Sequence, residues 1–143
     1  MRVVIDTNLW ISGLLWRGLP GKVLRLAEAG QVELCMTPAM LAELAEVLAY
    51  ERFQPRLAQL GLTTSDLVAY ALKLASVFDV PPGEAIVAAD PDDDVFLHCA
   101  RAAQAEYLVS GDHHLLDLGE YAGVPILAAR EFLEREFPSS VSA

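Results

Sequence analysis

A chain of 143 residues with 54% hydrophobic side chains is large enough for one domain with its own core and no covalent staples. Its net charge of −10 argues against a nonspecific grip on a phosphate backbone. Every apolar run is broken by charge well short of the ~20 residues that a membrane span needs, so no membrane association is expected.

The chain opens on Val3-Val4-Ile5, a β-branched run that reads as a buried strand, and meets Asp6 before any signal-like apolar region develops. Val23, Leu24 and Ala27 share one helical face, for which Gly30 is a natural stop. Val32 to Met36 reads as a second strand. Thr37-Pro38 then supplies an N-cap hydroxyl and a first-turn proline for a helix running to about Tyr50. A further helix spans roughly Thr64 to Phe78, ahead of Pro81-Pro82-Gly83, and another begins near residues 92–94 and reaches about Gln104. Tyr107 to Ser110 and Val124 to Leu127 complete the strands, and Pro138 to Ala143 reads as a disordered tail behind a domain of residues 1–137. Strands separated by helices imply a mostly parallel sheet covered on both faces. Cys35 and Cys99, each in an apolar context, read as buried reduced thiols, and a cytoplasmic location follows.

In such sheets, sites form beyond the carboxyl ends of the strands, and that is where the acidic residues fall. Asp6 leaves the first strand in the run Asp6-Thr7-Asn8, a compact set of oxygen donors in which Thr7 and Asn8 can orient the carboxylate. A helix cap is the competing reading. Glu43 sits two turns into the helix after the second strand, on the border of the stripe Met40, Leu41, Leu44, Val47, Leu48; alone, it would pass as a boundary residue. Asp90-Pro91-Asp92-Asp93-Asp94 puts four aspartates in five residues, where a cap needs one. Asp90 and Asp92 read as solvated, and Asp93 or Asp94 as pointing inward. Asp112 follows the third strand through Ser110-Gly111, while His113 and His114 read as surface residues.

Two unit charges ~4 Å apart repel by ~4 kcal/mol at an effective dielectric near 20. Carboxylates meeting at one sheet edge therefore need either a cation or strongly raised pKa values. An all-oxygen set suits Mg²⁺ or Mn²⁺, and no Cys/His set with zinc-ligand spacing occurs. The charge is also unevenly spread. Residues 1–56 hold six basic and six acidic side chains, whereas residues 57–143 hold four and fourteen and carry the whole −10. Contacts to a polyanion are thus expected from Arg17, Lys22, Arg25, Arg52 and Arg56, although each alone reads as a solvated charge. Trp16 reads as core, with stacking on a base as the alternative.

These segments resemble a known family. Val3-Val4-Ile5-Asp6-Thr7-Asn8, Thr37 to Leu44, Asp90 to Leu97 and Tyr107 to Asp112 are similar, in order and spacing, to the four acidic motifs of PIN domains, with Ser110 where a threonine is common. The likeness spans residues 1 to about 135 and leans toward toxins of toxin–antitoxin systems related to VapC. It implies a three-layer α/β/α sandwich and a Mg²⁺- or Mn²⁺-dependent endoribonuclease. Asp6, Glu43 and Asp112 would be catalytic metal ligands. The third position is open between Asp93 and Asp94, with Asp93 ahead. An RNA substrate, a cognate antitoxin and a homodimer are the partners implied. A non-catalytic PIN-like binding module and an RNA-processing PIN nuclease are the alternatives. A haloacid-type phosphatase is disfavoured because Asn8 stands where its second aspartate belongs, and a receiver domain because no lysine follows a late strand.

Overall fold

In a computed structural model, which describes residues 1–79 and 94–141, the apolar runs pair into one sheet. The strands are β1 (Arg2–Ile5), β2 (Glu33–Met36), β3 (Ala75–Val77), β4 (Tyr107–Val109), β5 (Glu120–Tyr121) and β6 (Val124–Leu127), in the spatial order β3-β2-β1-β4-β6-β5. All pairings are parallel except that of β5 with β6, which closes one edge as a hairpin. Val3, Val4, Ile5, Leu34, Leu108 and Val109 are at most 1% exposed, as the near-continuous apolar runs of a doubly covered parallel sheet require.

The helices are α1 (Thr7–Leu15), α2 (Gly18–Glu28), α3 (Pro38–Leu48), α4 (Gln54–Leu60), α5 (Thr64–Leu74), α6 (Asp94–Ala102), α7 (His113–Leu118) and α8 (Ala129–Glu136). They flank the central sheet, which gives the expected three-layer α/β/α architecture. Helix α6 packs on β1, β2 and β4, and α8 on β4 and α2. Gly13 on α1 is a contact point with α2: a Cβ there would lie 2.8 Å from Leu24 Cδ1 and 3.1 Å from the Pro20 backbone. Among the described residues no helix is long and apolar enough to cross a membrane.

The topology reverses once. From β1 the chain moves one way to β2 and β3, then returns to lay β4 on the other side of β1. The switch point between β1 and β4 is where a ligand crevice is expected in such sheets. Asp6 and Asp112 follow these two strands.

Several expectations are corrected. The helix foreseen to Phe78 stops at Leu74, and Ala75 (φ −96°, ψ 155°) begins an extended strand in which Leu34, Cys35 and Met36 align with Ala75, Ser76 and Val77. Pairing with β2 outweighs the helical spacing there. Helix α1 and the hairpin strand β5 lacked a recognised signal. Trp16 is 53% exposed rather than core: it caps the end of α1 and leans on Phe53, ring centroids 6.0 Å apart. Pro138–Ser140, read as tail, forms a 3₁₀ turn, and the Ser140 carbonyl accepts from Lys22 Nζ. The expected acidic positions Asp90, Asp92 and Asp93, the Pro81-Pro82-Gly83 stop and the last two residues lie outside the described residues.

Cys35 and Cys99 are free and buried, and burial pushes their thiols up to about 11 and about 12. Both therefore stay protonated at neutral pH. Dithionitrobenzoate at pH 8 should leave both unreacted in the native protein and titrate two thiols in guanidinium; rapid native labelling would contradict this packing.

Candidate metal centre

Position 6 follows from the local sequence. After Ile5 the strand ends, and Asp6 turns extended (φ −77°, ψ 169°) to cap α1, with its Oδ1 accepting from Leu9 N at 2.8 Å. Its other oxygen faces β4. Ile5 aligns with Val109, so the residue after β4 comes alongside, and Ser110 Oγ donates to Asp6 Oδ2 at 2.5 Å, with Gly111 N adding a bond of 3.2 Å. Ser110 is completely buried and its Oγ in turn accepts from Asp112 N at 2.9 Å. One hydroxyl thus ties the two acidic residues across the switch point. Asp112 caps α7 in the same manner as Asp6 caps α1, its Oδ1 accepting from His114 N at 2.9 Å.

The carboxyl of Asp6 is only 4% exposed. Burial raises its pKa above the usual 3.8, against the lowering by the hydrogen bonds from Ser110, Leu9 and Gly111, and the charge of Asp112 pushes it the same way as burial. Among the described residues the partners of Asp6 are the neutral donors of Ser110, Leu9 and Gly111, and no basic side chain contributes to its shift. Cap and candidate ligand are thus compatible roles: one oxygen serves the helix, the other faces the crevice side with Ser110.

Glu43 is half-buried in the second turn of α3, beyond the carboxyl end of β2, and α3 packs against α1 and α6. Asp94 opens α6 and is 7% exposed, buried at a helix N-terminus where a negative charge is favoured. Because β1, β2 and β4 are parallel and α6 runs back into β4, Asp6, Glu43, Asp94 and Asp112 share the carboxyl-end edge of the sheet. Thr7 is buried and Asn8 exposed. Carboxylate and hydroxyl oxygens of this kind are the donors that Mg²⁺ and Mn²⁺ prefer, and a buried acid without a basic partner is what a cation would offset.

The basic candidates divide. Lys22 is held by Ser140; Arg56 Nε donates to the Leu15 carbonyl at 2.8 Å; Arg52 lies over the rings of Tyr50 and Phe53 at 5.4 and 4.8 Å. Arg17 and Arg25 line a cleft of about 430 Å³ with Leu14, Leu24, Leu67 and Tyr70, between α1, α2 and α5. None of the candidate acidic ligands lines that cleft. His113 is exposed and His114 half-exposed, as expected of surface residues, and their rings stand 4.2 Å apart beside Asp112. An extended cap residue fans its side chain toward the first helical turn, which helical spacing alone does not reveal.

The PIN domain family profile matches residues 2–114, a span that includes all four described acidic positions. The fold is similar to that of PAE2754 from Pyrobaculum aerophilum, at 19% identity and a TM-score of 0.55, with 94% of this chain and 97% of that one covered. It is also similar to VapBC2 from Rickettsia felis bound to a DNA fragment from its promoter, at 14% identity and a TM-score of 0.60, covering 88% and 97%. No curated protein matches the chain. PIN domains are generally nucleases. With its profile matched from the first strand through the acidic turn after β4, the chain belongs to the PIN domain family.

Proposed function

We propose that the chain is a Mg²⁺- or Mn²⁺-dependent endoribonuclease and the toxin of a type II toxin–antitoxin pair. The observation that carries this reading is Asp6: a buried carboxylate beside a second acidic residue, held by three hydrogen bonds and, among the described residues, by no basic partner. The family supplies the nuclease class, and the fold likeness to VapBC2 supports the toxin role.

When bound, the divalent cation would lower the pKa of a water and polarise the phosphoryl oxygen. The remaining work belongs to the chain. Asp6 would be the central ligand, with Glu43, Asp112 and either Asp93 or Asp94 completing the set. Ser110 positions Asp6 by donating to Oδ2 and fixes Asp112 through its backbone N–H. Thr7 and Asn8 flank Asp6. Arg17 and Arg25 are the basic residues best placed for contact with an RNA backbone or a protein partner, since Lys22, Arg52 and Arg56 have partners within the chain. A cognate antitoxin, a homodimer and a cytoplasmic site of action complete the proposal.

Mixed RNAs incubated with the wild-type protein should be cut in Mn²⁺ or Mg²⁺ and left intact in EDTA. Asp6→Asn retains an oxygen for the α1 cap and should fold, yet lose more than about 100-fold in cleavage rate, beyond the 10–100-fold typical of an outer-shell partner. Cleavage in EDTA, or by Asp6→Asn at the wild-type rate, would end the proposal.

Ser110→Ala removes the largest of the influences that hold the Asp6 pKa down. The folded-state pKa then rises further, so on acidification Asp6 becomes protonated at a higher pH than in the wild type. The acid limb of the Mn²⁺-dependent rate should move upward in pH, with the loss partly recovered on the alkaline side. An unchanged acid limb would show that Ser110 does not tune the ligand.

A further inference from the structure

We propose that Asp112, His113 and His114 form a binding site for a borderline transition-metal ion, Zn²⁺ foremost, different in chemistry from the proposed all-oxygen site. One ligand atom from each of the three residues lies within 4.8 Å of the other two. Zinc–nitrogen and zinc–oxygen bonds of roughly 2.0–2.2 Å put neighbouring donors about 3.3 Å apart in a tetrahedron, so the three must close by at most about 1.5 Å. The side chains have the freedom to do so. His113 is exposed, Asp112 and His114 are half-exposed, and the two imidazoles already stand 4.2 Å apart at a 36° tilt.

The arrangement has a backbone cause. Asp112 precedes α7 with an extended conformation (φ −85°, ψ 123°) and accepts from His114 N through Oδ1, which brings its carboxylate over the first turn. His113 and His114 are the first two residues of that turn, so three consecutive side chains fan around one point instead of spreading over a helix surface. Two neutral imidazoles and one carboxylate favour Zn²⁺, Ni²⁺ or Co²⁺ over Mg²⁺, which prefers oxygen. The partial positive charge of about one half at the N-terminus of α7 opposes any cation there, and the full negative charge of Asp112 exceeds it. Three protein ligands leave a fourth position open to water.

This site goes beyond the proposed nuclease and shares only Asp112 with it. The test is a calorimetric titration of tag-free protein with Zn²⁺, run on the wild type, on His113→Ala/His114→Ala and on Asp6→Asn. The wild type and Asp6→Asn should each bind zinc, and the histidine pair variant should bind it at least tenfold more weakly at an unchanged melting temperature. His113→Asn/His114→Asn serves as a second variant should the alanines unfold α7. Visible d–d absorption on Co²⁺ addition, lost in the same variants, reports imidazole ligation directly. Equal zinc affinity with and without the histidines, or no zinc binding by the wild type, would overturn the site. Because Asp6→Asn removes the nuclease ligand and spares the histidines, failure of one proposal is distinguishable from failure of the other.

Discussion

The structure depends on how one buried negative charge is tolerated. Asp6 sits almost out of solvent where β1 ends, and among the described residues it is reached by neutral donors from Leu9, Ser110 and Gly111. Such donors favour the ionised form without cancelling its charge, so burial still wins and the pKa rises. A neighbouring acid, Asp112, is brought to the same place by the register of β1 against β4. The fold keeps two helix-capping acids joined through a serine hydroxyl.

The rest of the fold sets that arrangement. Parallel pairing of β1 with both β2 and β4 aligns three carboxyl ends, and the reversal of strand order puts a topological switch point between β1 and β4. The two acidic residues on helices follow from chain direction: α3 leaves β2 carrying Glu43, and α6 begins with Asp94 as it returns toward β4. The cleft lined by Arg17 and Arg25, together with Glu28 and Asp66, lies elsewhere, between α1, α2 and α5.

Much of this was legible in the residues. Short apolar runs marked β1, β2, β4 and β6, because a strand buried on both faces has little room for polar side chains, and Thr37-Pro38 announced α3 through cap chemistry. Helix α1 went unrecognised because Asp6-Thr7-Asn8 carries ligand and cap signals at once, and its apolar residues lie nearly all round. Strand β3 was hidden because Ala75 to Val77 continues a helical pattern and becomes a strand only by pairing with β2. Trp16 defied its hydrophobicity because it stands where α1 ends and the chain turns through Arg17 at φ 63°. The choice between Asp93 and Asp94 depended on one residue of register, which spacing could not decide; Asp94 is buried at the head of α6.

The most direct test is crystallographic. Crystals soaked in MnCl₂ should show an anomalous peak within about 2.0–2.3 Å of an Asp6 carboxylate oxygen, with Asp112 in its coordination shell directly or through one water. A well-ordered map with no peak near Asp6, and its carboxyl satisfied by Ser110, Leu9 and Gly111 alone, would mean that the buried acid is a structural cap and that no cation site exists there.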